Sequence, residues 1–188
     1  MTLQTEAPLP QLRLGNHRYN VGSVLSMARR GHLELDPAYQ RGSVWGLSRR
    51  RNLIRSLLLG LPIGQVTVNN RAGCRFSAPG YSRRTSPTFA VIDGKQRIET
   101  LLAFNNGDFS VPRSWWRPGD VDGQEWEDTS DGPYVRFEHL TDEGEVRFEL
   151  AAMPTDEARL ESVAEETEVF ELINFGGVPQ GEADADIM

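Results

Sequence analysis

Between Thr88 and Asn106 the chain changes its hydrophobic period across a single glycine. Phe89-Ala90-Val91-Ile92 is a short continuous apolar run, as in a buried strand; beyond Asp93-Gly94 the apolar positions Ile98, Leu101 and Leu102 recur at helical spacing. This predicts a strand, a tight turn and a helix over 95–105. Upstream, Val21, Val24, Leu25 and Ala28 share one helical face that stops at Gly31, predicting a helix near 22–30. Leu33 and Leu35 alternate with Glu34 and Asp36 before Pro37, which reads as a brief strand. Ser48 is placed as the N-cap of a helix over 49–59, whose stripe is Leu53, Ile54, Leu57 and Leu58 and whose end is marked by Gly60 and Pro62. The β-branched alternation of 65–69 predicts a strand beside 89–92.

Farther on, the alternation in 134–137 and 145–150 predicts a hairpin turning at Asp142-Glu143-Gly144, and Thr155 is read as the cap of a helix over 156–174 that ends at Gly176-Gly177. The order of elements gives an α+β fold with a small mixed sheet and flanking helices. One domain is expected over 13–179, between a flexible lead at 1–12 and a tail at 180–188 without the apolar residues of a core.

Composition narrows the classes. With 188 residues, 38% of them hydrophobic, the chain can bury one good core. No apolar run reaches 18 residues and the first residues lack a basic and an apolar signal region, so a cytoplasmic protein with no membrane partner is expected. One cysteine, Cys74, allows no internal disulfide, and His17, His32 and His139 lie far apart with no metal-binding spacing. There is no GxxxxGK[ST] loop. The net charge of −7 hides a division: residues 1–100 hold fifteen Arg/Lys against five Asp/Glu, and residues 101–188 hold five against twenty-two. The first half is therefore the anion-binding half, while the acidic second half opposes unaided, non-specific DNA binding.

The candidate chemistry gathers at the predicted turn. A helix N-terminus presents unpaired N–H groups and the positive end of the dipole, so a strand handing over through Gly94 builds an anion pocket beside Lys95, Gln96 and Arg97. The competing reading is a capping box, Asp93 with Gln96 three residues on, that does no more than start the helix. Tyr39, Gln40, Arg41 and Trp45 fall on a loop that either binds a ligand or packs itself down. Arg49, Arg50 and Arg51 crowd a helix start, where the dipole disfavours cations; carboxylates of the acidic half, nucleic-acid phosphates or plain solvation are the available compensations. The basic loop 70–87, with Phe76 and Tyr81 among four arginines, suits single-stranded nucleic acid or is a variable surface hairpin.

Ile92-Asp93-Gly94-Lys95-Gln96-Arg97, with Pro37-Ala38-Tyr39-Gln40-Arg41, Val44-Trp45 and Phe170-Glu171-Leu172-Ile173-Asn174 before Gly176-Gly177, resembles the N-terminal domain of the GmrSD-type modification-dependent restriction endonucleases. The family's usual signature is Asp-Gly-Gln-Gln-Arg, so Lys95 departs from it, as does Phe175 in the last segment. The resemblance implies a ParB/sulfiredoxin-like core and a nucleotide-binding sensor, with slow Mg-dependent NTP hydrolysis as its chemistry and GTP, ATP and CTP unresolved. Asp93 would handle Mg²⁺ or orient water; Gln96 and Arg97, with Arg41, would hold phosphates beside Gly94 and Lys95; Asn174 would point toward the turn. The family's larger enzymes carry an HNH nuclease beyond this domain, and His139 alone forms no such motif, so DNA cleavage is not expected of these residues.

The alternative is a non-catalytic ParB-like module that binds DNA or reads its modification through Tyr39, Gln40, Arg41, Arg50 and Arg51. A third reading is an interaction protein without a ligand. The charge division also predicts a protein partner carrying the effector function, or a homodimer. Its contacts would be Arg49, Arg50, Arg51 and Arg55 on one side and Glu161, Glu165, Glu166 and Glu168 on the other, unless these two sets pair within one molecule.

Overall fold

A computed structural model describes residue 12 and residues 14–40, 45–123 and 127–175. The lead at 1–11, the tail at 180–188, Arg41, Val44 and Gly176-Gly177 lie outside the described residues. In chain order the elements are β1 (Gly15–Asn20), α1 (Val21–Arg29), β2 (Leu33–Glu34), α2 (Leu47–Leu58), β3 (Val66–Asn70), β4 (Phe89–Asp93), α3 (Lys95–Asn105), β5 (Val111–Pro112), β6 (Glu127–Thr129), β7 (Gly132–Val135), α4 (Asp142–Glu149), β8 (Ala152–Ala158) and α5 (Val163–Phe175). The class is α+β in one body, as the periodicities predict. No helix among the described residues is long and apolar enough to cross a membrane.

The main sheet runs β1-β8-β3-β4-β2. β8 is antiparallel to β1 and parallel to β3, and β4 is antiparallel to β3 and parallel to β2. Successive strand residues face opposite sides. Accordingly Val91 joins the large core cluster with α1, α2 and α3, while Ile92 joins a small cluster of Ala158 and Leu160 packed by Val169 and Phe170 of α5. At the centre of the large core Phe104 of α3 meets Phe109, Trp116, Phe137 and Phe148 at ring distances of 5.6, 6.1, 6.0 and 5.4 Å. A second sheet, β5-β7-β6, flanks it.

Four local expectations are corrected. Ser48 is not the cap of α2: the helix starts at Leu47, with Gly46 as N-cap and no side-chain cap. The segment expected to return as the second strand of a hairpin is α4. Thr141 caps it by accepting a bond from Gly144 N, Asp142, Glu143 and Glu145 suit the positive end of its dipole, and the buried positions are Gly144 and Phe148, four apart. Val146 and Leu150, which made the alternation look like a strand, are exposed. The long helix expected from 156 begins only at Val163, and Thr155 is a buried residue in the middle of β8. β8 is interior to the sheet although it carries Pro154, Asp156 and Glu157, residues that disfavour strands. Pairing on both sides overrides its local preference.

Candidate functional site

β4 ends at Asp93, and Gly94, at φ +96°, turns the chain into α3. Gly94 is the N-cap and no side chain caps the helix, so the capping-box reading of Asp93 and Gln96 is set aside. Only glycine fits here: a Cβ would stand 2.7 Å from Val66 Cγ2 and 3.1 Å from Arg97 Nη1, in a left-handed conformation that L residues avoid. Gly94→Ala is expected to cost about 2–3 kcal/mol, read as a lowered urea midpoint. Gly80→Ala, also at positive φ but with open space around the new methyl, should lose only the conformational part, roughly 1 kcal/mol. Equal losses in the two variants would show that contact with Val66 is immaterial.

The residues after Gly94 are each committed differently. Lys95 is buried, 5% exposed, and its ammonium is held by Asp36, with Glu99 at 3.9 Å. Gln96 accepts from Trp45 N at 3.1 Å and its amide faces Glu99 at 3.3 Å, so it pins the chain entering α2 to the start of α3. Arg97 donates from Nη1 to Gln65 O at 2.8 Å and to Asp93 at 3.3 Å. The remaining N–H groups of its guanidinium have no partner among the described residues. Gly64, at φ +86°, leaves room for this group: a Cβ there would lie 3.0 Å from Arg97 Nε. Asp93 and Arg97 keep 27% and 24% of their side chains exposed, enough for a ligand to reach them.

Tyr39 and Gln40 do meet this turn, through the strand carbonyls. The Gln40 amide donates to Ile92 O at 2.7 Å and Val91 O at 3.2 Å, and the Tyr39 hydroxyl to Val91 O at 3.2 Å. The Tyr39 ring also meets Phe170 of α5, 5.5 Å between ring centres and tilted by 43°. Burial first, and then the charge of Glu166, hold its phenol well above the usual range, so it stays a hydrogen-bond donor. Arg41 lies outside the described residues. Asn174 is exposed and donates to Phe170 O of its own helix at 2.8 Å.

Arg49, Arg51 and Arg55 find aromatic faces rather than carboxylates: Trp45 at 4.5 Å, Tyr134 at 4.8 Å and Trp115 at 5.7 Å from their guanidinium carbons. Arg50 and Arg51 also donate to the carbonyls of Trp45 and Ser110. Pairing of these arginines with the glutamates of α5 is not found among the described residues.

Sequence reasoning missed the polar centre beneath α5. Glu166, expected among the acidic contacts for a partner, is fully buried, and Arg71, expected in a basic surface loop, is 6% exposed. Arg71 Nε and Nη2 reach the two oxygens of Glu166 at 2.8 and 2.7 Å, Asn69 donates to the same carboxylate at 2.7 Å, and Glu34 takes Arg71 Nη1. Burial by itself would lower the Arg71 pKa; the bonds and charges of Glu166 and then Glu34 more than offset it and hold the guanidinium charged. No local signal could have revealed this pair, whose members are 95 positions apart. Nearby, burial raises the pKa of the Cys74 thiol, which lies 3.1 Å from Leu160 O, the opposite of nucleophile activation.

A family model described as GmrSD restriction endonuclease, N-terminal domain, matches residues 21–185. No curated protein and no solved structure matches the chain.

Proposed function

We propose, from the fact that the chain belongs to the GmrSD restriction endonuclease N-terminal domain family, that it is the nucleotide-binding sensor of a phage-defence restriction system. The observation that supports this reading most is Arg97, a part-exposed guanidinium at a helix start that commits only one of its nitrogens among the described residues. A planar fork with donors to spare suits a phosphate. The N-terminus of α3 adds the favourable end of its dipole.

For a divalent cation the fit is partial. Asp93 offers one carboxylate, and among the described residues no group of three His, Cys, Asp or Glu gathers to hold an ion. Mg²⁺ would therefore arrive with the nucleotide, with phosphate oxygens and water completing its shell, and it would supply charge neutralisation on the phosphates. The chain's own part is positional. Arg97 holds the phosphate, Asp93 faces the cation and orients Arg97, and Gln96 and Gln40 fix the two segments that frame the turn.

Binding of labelled GTP, ATP and CTP with Mg²⁺ tests the reading. Arg97→Ala should weaken the bound nucleotide about 10- to 100-fold, the loss of one charged hydrogen-bonding partner. Because Arg97 also braces Gln65 O, the melting temperature is followed in parallel, and Arg97→Lys, which keeps the charge, should recover part of the affinity. A parent protein that binds none of the three nucleotides would end this proposal.

A second reading, a ParB-like module that binds DNA or reads its modification, is favoured by the stacked Arg49, Arg51 and Arg55, an exposed-to-half-buried cationic face to which no carboxylate pairs among the described residues. Such a face suits phosphate contacts that set position rather than sequence. In the same experiment, a DNA shift at stated salt in the absence of nucleotide binding would favour it over the first.

A further inference from the structure

Val146 and Leu150 of α4 are 52% and 66% exposed, although both are apolar and stand four apart on one helix. They form a single ridge. On one side of it lies a pocket of about 750 Å³, between α4 and the end of α2, with Leu61, Ile63 and Pro154 of β8 also in its wall. On the other side lies a pocket of about 490 Å³, against Gly22, Ser23 and Ser26 of α1. Val146 and Leu150 line both, and Leu61, itself 53% exposed, carries the apolar surface across the larger one. An exposed apolar surface that spans a helix ridge and the hollows beside it marks a contact rather than a solvated face.

The charges on this surface select the occupant. Arg117 and Glu143 both line the larger pocket and both are exposed. Neither forms an ion pair among the described residues, whereas Arg147, in the same wall, is committed to Asp120 at 2.9 Å. A lipid or an apolar small molecule would leave both charges unanswered, and a partner of a single charge sign would repel one of them. A second copy of this chain answers both.

We propose that α4 and the larger pocket form a two-fold interface between two copies of this chain. Each Val146–Leu150 ridge lies in the other copy's pocket, and the same rotation brings Arg117 of one copy to Glu143 of the other, twice. Ridge, hollow and both charges occur on one face, which is what an isologous contact requires. The face is not the one to which the charge division pointed, Arg49, Arg50, Arg51 and Arg55 against the glutamates of α5, and it includes none of the residues of the Asp93–Arg97 turn.

Sedimentation velocity of the full chain over a dilution series should show a monomer–dimer equilibrium. Leu150→Glu changes a side chain that the monomer leaves in water, so the melting temperature of dilute protein should stay at the parent value. The dimer dissociation constant should rise at least about 100-fold, because a charge is forced into an apolar contact. Arg117→Glu and Glu143→Arg should each weaken the dimer about tenfold, since either reversal makes two pairs repulsive. Mixed in equal amounts, these two variants should associate as tightly as the parent, because both contacts of the mixed dimer again set Arg against Glu. A parent that stays monomeric at every concentration overturns the proposal and leaves the groove to another occupant. So does a dimer that Leu150→Glu does not weaken, or a mixture of the two charge variants no tighter than either alone.

Discussion

Replacing Arg71 by methionine is expected to lower stability by about 3–5 kcal/mol, because it strands the Glu166 carboxylate where no solvent reaches it. Asn69 would remain as its donor, which satisfies a lone pair but not a charge. Against a total of roughly 5–15 kcal/mol such a loss is severe, and for a chain of this size it should appear as a fall in melting temperature on the order of 10 °C. Part of the loss is apolar, since the guanidinium carbon lies 4.4 Å from the centre of the Phe76 ring, and methionine keeps much of that contact. The double variant Arg71→Met with Glu166→Leu removes both charges and should recover most of the stability. Thermal and urea melts of the two single variants and the double close the cycle. Single variants that sum to the double would show that the two residues do not interact energetically, which their bidentate geometry forbids.

Gly144→Ala should cost about 3 kcal/mol or more, although it places a better helix former in α4. Alanine gains about 1 kcal/mol over glycine inside a helix by propensity. Here an added Cβ would stand 2.1 Å from Asp120 O and 3.0 Å from its carbonyl carbon, both backbone atoms that cannot swing aside. Asp120 is itself fixed: its carbonyl accepts from Thr141 N at 3.0 Å and its carboxylate from Arg147. Either α4 lifts off, unseating Phe148 from the Phe104 cluster, or the Arg117–Asp120 turn gives way. Overpacking of this kind usually costs 1–3 kcal/mol, and an immovable neighbour puts the site at the upper end. A melt showing Gly144→Ala at or above parent stability would mean that helix propensity outweighs the close approach.

The passage from β4 through Gly94 to α3 was legible because each of its signals is local. The apolar run, the glycine and the helical recurrence of Ile98 and Leu101 act within a few residues, and local sterics suffice to fix a strand, a positive φ and a helix. For the same reason α1 appears close to its expected bounds. The resemblance carried by Tyr39-Gln40 and by the Asp93–Arg97 turn named the family, and the structure brings these two segments together at the carbonyls of Val91 and Ile92.

Other features were decided only by the folded chain. β8 became an interior strand because β1 and β3 pair with it from either side, at separations where local preference has no influence on register. The turn of phase at α4 depended on which residues found the core: Gly144 and Phe148 were buried and Val146 and Leu150 were left outside, so a period of four displaced an apparent period of two. The charges followed the same logic. In sequence Arg71 and Glu166 are one arginine among several and one glutamate among several; desolvation raises the cost of an unpaired charge so far that burial of one requires the other. Composition counts charges, and only the tertiary structure assigns their partners.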